Sequence, residues 1–245
     1  MPDNILLLGG SGNLGSAIIQ SNKFKNIFYP KKNIVNILNK KKIVNFLIEN
    51  KIQTIIHAAG LARVRDCEKF KKKANKINID GTNNVVNSII YIKKKLNINI
   101  LLIYISSDAV YSSINGYYKE TDRLRPYNHY GITKMKAEKK VRRLKKFIII
   151  RTRFFNKNKI PFKYSANNIF SSSIEVNRLV SYIKFLIKKK FYGIINVGGK
   201  RVSDYKNYKK YKKNLISCDK SKIFKELDFV IATDASLNIN KLKNL

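Results

Sequence analysis

A chain of 245 residues with 44% hydrophobic content is long enough to bury one α/β core and a smaller appended region. No apolar run reaches the roughly 18–20 residues of a membrane helix, which excludes a helical span from the expectations. The formal net charge of +36, from 51 basic and 15 acidic residues, would by itself suggest a polyanionic partner. The lysines are spread along the whole chain beside abundant Asn and Ile, however, as in an A/T-biased coding sequence, and there is no helix-turn-helix or aromatic-interleaved basic motif. No nucleic-acid partner is expected; runs such as Lys71-Lys72-Lys73 read as solvated faces that attract small anions. Cys67 and Cys218 stand far apart without a ligand partner at metal spacing, so neither disulfide nor metal is expected. The start, Met1-Pro2-Asp3-Asn4, lacks a basic n-region and a cleavage site, which with the thiols places the expected compartment in the cytoplasm.

Apolar, β-rich runs occur at 4–8, 27–29, 54–57, 100–105, 147–152 and 193–197. Helical periods and caps place helices between them at 13–22, 39–50, 78–95, 127–146 and 175–189, with shorter patches at 205–213 and 221–227. The strands are nearly continuous in Ile, Leu and Val, as required when helices cover both faces. The predicted fold is therefore α/β, a doubly wound parallel (Rossmann) sheet with a small, shortened C-terminal substrate-binding region. Its expected division is a dinucleotide-binding core over 1–155 and a reduced substrate region over 156–245, with 191–198 returning as a strand to the sheet.

Directly after the first strand stands Gly9-Gly10-Ser11-Gly12-Asn13-Leu14-Gly15, ahead of the apolar helix start Ala17-Ile18-Ile19. Glycines here permit the tight turn, the approach of backbone to a pyrophosphate and close helix–strand packing, while the helix N-terminus offers free N–H groups. After the second strand the chain reads Phe28-Tyr29-Pro30-Lys31-Lys32, with no acidic residue to hold a ribose 2′-hydroxyl. NADP is slightly favoured over NAD, and both remain open.

Tyr130-Gly131-Ile132-Thr133-Lys134 sets a phenol and an ammonium four residues apart on a helix, hence on one face. A phenol titrates near 10, and moving it by roughly three units takes about 4 kcal/mol of differential stabilisation, which a neighbouring cation can provide. Upstream, Tyr104-Ile105-Ser106-Ser107-Asp108-Ala109-Val110-Tyr111 ends a strand and presents hydroxyls to the crevice where open α/β sheets bind ligands. Ser107 is placed to hydrogen-bond a substrate oxygen, and Ser106 to satisfy backbone at the strand end. His57 reads as structural, and His129 points away from Tyr130.

The glycine loop, His57-Ala58-Ala59-Gly60, Asn78-Ile79-Asp80-Gly81-Thr82, the Ser-Ser-Asp-Ala-Val-Tyr strand end and Tyr-x-x-x-Lys together resemble the extended short-chain dehydrogenase/reductase superfamily. Within it the chain is most similar to the dTDP-4-dehydrorhamnose reductase group, over about residues 3–155. The resemblance implies catalytic Ser107, Tyr130 and Lys134, with Lys134 also holding the nicotinamide ribose and lowering the tyrosine pKa. It implies cofactor contacts from Gly9, Gly12, Asn13, Leu14 and Gly15, from Asn36 and Ile37 at the adenine, and from Ala58, Ala59 and Gly60.

On the substrate side, Ser107, Asp108, Arg151 and Arg153 are candidates, the arginines reading equally as a phosphate fork or as surface ion pairs. Ser173 reads as a helix N-cap, and Asp234-Ala235-Ser236-Leu237-Asn238 with Lys241 echoes the family tail. Ala109 leaves the strand end without the carboxyl pair of sugar-nucleotide dehydratases. The implied activity is reduction of a 4-keto nucleotide-linked deoxysugar in surface-polysaccharide precursor synthesis. An epimerase and a catalytically silent dinucleotide-binding regulatory subunit stand as alternatives, and a homodimer is left open.

Overall fold

Alternate residues of each parallel strand feed two different cores, one on either side of the sheet. The computed structural model describes residues 4–225, 227, 229 and 231–245, so Met1, Pro2 and Asp3 of the expected leaderless start, and Glu226 of the patch expected at 221–227, lie outside the described residues. The strands are β1 (Ile5–Leu8), β2 (Ile27–Phe28), β3 (Thr54–His57), β4 (Leu101–Ile105) and β5 (Phe147–Thr152). Four strands of two or three residues follow, β6 (Phe154–Phe155), β7 (Tyr164–Ala166), β8 (Phe170–Ser171) and β9 (Ile174–Glu175), before β10 (Gly193–Val197), β11 (Val202–Ser203) and β12 (Ile216–Cys218).

Six of them form one parallel sheet in the order β10-β5-β4-β3-β1-β2. The order reverses between β1 and β3, and the carboxyl ends of these two strands flank the crevice that such a reversal opens. Ile5, Leu7, Ile56, Ile103, Ile105, Ile148 and Ile150 pack on one face, against α1 (Asn13–Gln20). Leu6, Leu8, Ile55, Leu102, Tyr104 and Ile149 pack on the other, against α2 (Lys40–Glu49). The period of two inside a continuous apolar run thus serves two cores at once, which is why the runs lack polar alternation.

The remaining helices are α3 (Val64–Lys69), α4 (Lys71–Ala74), α5 (Gly81–Leu96), α6 (His129–Val141), α7 (Val176–Lys188), α8 (Asp204–Lys209), α9 (Lys220–Lys225) and α10 (Asn240–Lys243). The α5 and α6 faces join the second core, and α7 joins the first. A π-helical turn, Asn75–Asp80, leads straight into α5, so that helical stretch begins before residue 78. The α6 helix stops at Val141 rather than near 146 because the chain tightens, with the N–H of Leu144 on the Val141 carbonyl at 3.0 Å, to bury Leu144 before β5. The short helices α3 and α4 were not expected, since their charged sequences carry no apolar period.

Beyond β5 the chain builds small pairings: β6 with β9, β7 with β12, and β8 antiparallel to β11. The C-terminal stretch is tied in through the bridges Tyr118 to Leu237 and Phe170 to Asp234. Among the described residues no helix is long and apolar enough to cross a membrane.

Candidate active site

The turn after β1 is shaped by two close approaches. Gly9 has φ of +95°, and a Cβ there would lie 2.6 Å from the Ala59 nitrogen; a Cβ on Gly15 would overlap the Gly9 carbonyl oxygen. Glycine alone satisfies both positions. Gly12 differs. A Cβ there would meet only the Gly9 oxygen, at 3.4 Å, and would otherwise project into open space. Gly12 precedes α1 with no side chain capping the helix, so a cradle lies open in front of free N–H groups, which suits a pyrophosphate.

Two cavities meet at this loop. The first, about 570 Å³, is lined by Gly9, Gly12, Tyr29, Lys31, Lys32, Asn36 and Ile37. The second, about 600 Å³, runs past Asn13, Leu14 and Gly15 to Ser107, Asp108, Tyr130, Lys134 and Arg153. Gly12, Ala58, Ala59, Gly60 and Leu61 border both, so the two form one cleft across the carboxyl edge of the sheet. Asn36 Oδ1 accepts the Leu38 N–H at 3.0 Å, a local turn that sets Ile37 in the cavity wall.

The hydroxyl, phenol and ammonium are brought together by how α6 starts. Asn128 Oδ1 accepts the Gly131 N–H at 2.8 Å, capping the helix, and a Cβ on Gly131 would overlap the Ala109 carbonyl oxygen. The helix therefore sits directly against the turn after β4, where Ser107 begins a short 3₁₀ segment, Asp108–Val110. The Ser107 and Tyr130 side chains both line the cleft, and the Ser107 hydroxyl donates to Asp108 Oδ1 at 3.1 Å. Lys134 Nζ donates to the Ile105 carbonyl at 2.6 Å and lies 4.2 Å from the centre of the Tyr104 ring. Burial pushes its ammonium down to about 7, against the opposing charge of Glu138. Burial likewise holds the Tyr130 phenol well above its ordinary value.

The supporting residues are tightly bonded. Asn78 ties the loop after β3 to α6, donating to Thr133 Oγ1 at 2.9 Å and to the Leu61 carbonyl at 3.0 Å while accepting the Leu61 N–H. His57 pairs with Thr82 at 3.1 Å, and burial brings it down to about 3, so it stays neutral and structural. His129 pairs with Asn75 at 3.0 Å, away from the phenol.

A family model described as the RmlD substrate binding domain matches residues 3–164. The chain belongs to this family. Among curated proteins, methionine adenosyltransferase 2 subunit beta of Bos taurus is 31% identical over 146 residues, which cover 56% of this chain. The match spans 42% of that relative's length, so the chain spans less than half of the curated protein it resembles. The crystal structure of dTDP-4-dehydrorhamnose reductase from Bacillus anthracis, in complex with NADP, superposes with a TM-score of 0.85 at 21% identity, covering 100% of this chain and 92% of that one. The orthologue from Clostridium acetobutylicum gives 0.85 at 20% identity over 98% of this chain and 91% of its own. These likenesses show the fold, a doubly wound parallel sheet, to be that of the two dTDP-4-dehydrorhamnose reductase structures.

Within the RmlD frame three expectations are corrected. Arg151 is neither a phosphate fork nor a surface ion pair: it is fully buried, bonded to Glu138, to the Tyr111 hydroxyl at 2.7 Å and to the Glu120 carbonyl at 3.0 Å. Only Arg153, one residue past the end of β5, reaches the cleft. Ser106 does not satisfy backbone with its side chain; its hydroxyl donates to Glu138 Oε1 at 2.6 Å. Ser173 does not cap α7, because Glu175 accepts the Asn177 N–H at 2.9 Å in that role. The cleft also takes in Tyr127, Thr152, Phe154, Ile169 and Asp204. Of these, Asp204 carried no signal in the sequence, since it arrives from α8, about fifty residues beyond β5.

Proposed function

We infer that the chain is an NAD(P)H-dependent reductase of a 4-keto nucleotide-linked deoxysugar. The observation that carries this reading is the single cleft that joins the open cradle at Gly12 to the Ser107–Tyr130–Lys134 cluster. The cradle and the small residues Ala58, Ala59 and Gly60 suit a dinucleotide lying across the sheet edge, with its adenosine end toward Asn36, Ile37 and the lysines. A bound reduced nicotinamide supplies the hydride to the keto carbon. Tyr130 supplies the proton to the keto oxygen, and its burial suits that direction, because a phenol held above its ordinary pKa remains protonated at neutral pH. Lys134, held beneath it by the Ile105 carbonyl, provides positive charge against the phenolate that remains. Phe154, Ile169 and Asp204 wall the far end, where residues after 155 would meet the sugar. Lys31 and Lys32 favour NADPH over NADH.

The name of the curated relatives supports a second reading, a dinucleotide-binding regulatory subunit of another enzyme. The two readings separate in one assay: loss of 340 nm absorbance from NADPH and NADH with a panel of nucleotide-linked 4-keto sugars, wild type beside Tyr130→Phe. Turnover that Tyr130→Phe lowers by about two to four orders of magnitude, the usual worth of a general acid, is the expected result. Dinucleotide binding by both proteins without oxidation of either cofactor rejects the reductase and moves the regulatory reading forward.

A further inference from the structure

The cleft occupies the carboxyl edge of the parallel sheet, and the opposite, amino edge has a different character. There, between the ends of α5 and α6 and just ahead of β4, lies a third cavity of about 310 Å³. Its floor is aliphatic, from Ile89, Ile100 and Leu144, all buried. Its rim is cationic, from Lys93, Lys94, Arg143, Lys145 and Lys146, all exposed. No carboxylate lines it, and none of these five cations has an ion pair among the described residues. Asn97, with φ of +55°, ends α5 in a left-handed turn that leaves Leu96 and Ile98 47% and 44% exposed, with Ile98 in the cavity wall. The register carries the same character along the edge. Ile148 of β5 pairs with Gly193 of β10, so the exposed Tyr192, preceded by the exposed run Lys188-Lys189-Lys190, stands next in the row.

We propose that this end of the molecule docks on an anionic lipid surface, with Leu96 and Ile98 entering the headgroup region and the surrounding cations facing the lipid phosphates. A lysine in the last turn of α5 complements the helix dipole, but Lys145 and Lys146 lie past the end of α6 and have no such role. Five unpaired cations around one apolar hollow repel each other, and only counter-charge from outside the chain offsets that repulsion. A free phosphate would meet the cations and gain nothing from the two exposed aliphatic side chains. A bilayer takes both, the charge at its headgroups and the aliphatic tip at the acyl boundary. A second copy of the chain would set one cationic rim against another. Among the described residues no helix is long and apolar enough to cross a membrane, so the attachment is peripheral. The cleft, on the far edge of the sheet, stays open to cofactor and substrate. The net charge of +36 draws the chain to any polyanion without choosing a face; the combination of rim and tip chooses this one. The inference is independent of the reductase reading, and its test needs no turnover.

The test uses the full chain with vesicles of phosphatidylcholine alone and of phosphatidylcholine mixed with phosphatidylglycerol, at physiological ionic strength. Cosedimentation measures binding. The chain contains no tryptophan, so Ile98→Trp places a single indole at the exposed tip and reports by its emission whether that tip enters the bilayer. Two triple variants remove the same charge from different faces: Lys94→Gln, Lys145→Gln and Lys146→Gln at the docking end, and Lys71→Gln, Lys72→Gln and Lys73→Gln on the exposed α4. Binding to the mixed vesicles only is expected, with a blue shift of the indole and its quenching by brominated lipid. The docking-end triple is expected to weaken binding by about a hundredfold, since each basic residue held near an anionic surface is worth about fivefold. The α4 triple, whose charges stay more than a screening length from the surface, is expected to stay within about threefold of wild type. Equal losses in the two triples mean adsorption by the general field and overturn the proposal, as does binding that leaves the indole emission unchanged. Absence of binding to the mixed vesicles overturns it too. An indole already shifted before vesicles are added, in a chain that sediments as a dimer, assigns the face to a second copy. A larger shift with polyglutamate than with vesicles assigns it to an acidic protein segment; either result rejects the lipid surface.

Discussion

Glu138 receives two N–H groups of Arg151, Nε on Oε1 at 3.0 Å and Nη2 on Oε2 at 2.7 Å, with both side chains sealed from solvent. The same carboxylate takes the Ser106 hydroxyl and lies one helical turn from Lys134, so it joins β4, β5 and α6 behind the site. Removing the guanidinium strands a buried negative charge whose remaining ion-pair partner, Arg142, is half exposed at 3.5 Å. Arg151→Met is expected to lose about 3–5 kcal/mol of stability, the usual cost of breaking a buried pair from one side. Adding Glu138→Gln removes the stranded charge, so the double variant should lose less than the two single losses combined. Urea unfolding measures all three. If Arg151→Met keeps the wild-type midpoint and instead weakens sugar-nucleotide binding, Arg151 reaches substrate after all.

Lys31 and Lys32 are exposed on the wall of the cavity beside the Gly9–Gly15 loop, where the ribose 2′-phosphate of a dinucleotide bound as proposed would meet them. Exposed charge pairs are worth at most about 1 kcal/mol each. Replacing both by Gln should therefore weaken NADPH binding by roughly five- to thirtyfold, leave NADH within about twofold, and reduce the salt dependence of NADPH affinity. Titration calorimetry with both cofactors at two ionic strengths checks this. Equal losses for both cofactors would mean that the lysines act only as general positive field.

The parts of the site that the sequence disclosed are those whose geometry is local. Tyr130 and Lys134 share a face because they are one turn apart on α6, and the Gly9 to Gly15 loop needs only the strand before it and the helix after it. The sheet was readable for a similar reason, since strands buried on both faces advertise themselves as unbroken Ile, Leu and Val. Arg151 and Arg153 show where such reading stops. They are two residues apart in the same stretch, yet β5 ends between them at Thr152, leaving Arg151 in the core and Arg153 in the cleft. Nothing in their neighbours along the chain separates them. Asp204 reaches the cleft at the start of α8, just after β11, whose pairing with β8 spans two residues and gives no periodic signal; the helical patch was legible at 205–213, its place in the cleft was not.

Lys134 links the site to stability through pH. Its ammonium ordinarily titrates at 10.5 and is brought down to about 7 by burial. Between these values the unfolded chain holds a proton on this group that the folded chain has released, so stability rises with pH across that window. Below about 7 both states are protonated, and the folded protein carries the full desolvation cost, about 4–5 kcal/mol for a displacement of this size. Above 10.5 the cost has gone. Lys134→Met removes the titration and loses one hydrogen bond to the Ile105 carbonyl, worth about 1 kcal/mol. The variant should therefore unfold at higher urea than wild type at pH 6.5, and its advantage should shrink steadily as the pH is raised and vanish by about pH 10. Equilibrium unfolding at four pH values tests this. A difference that does not change with pH would show that the ammonium keeps its ordinary pKa in the folded protein, hydrated or fully compensated by Glu138, and would remove burial as the force that sets the charge of Lys134 beneath the phenol.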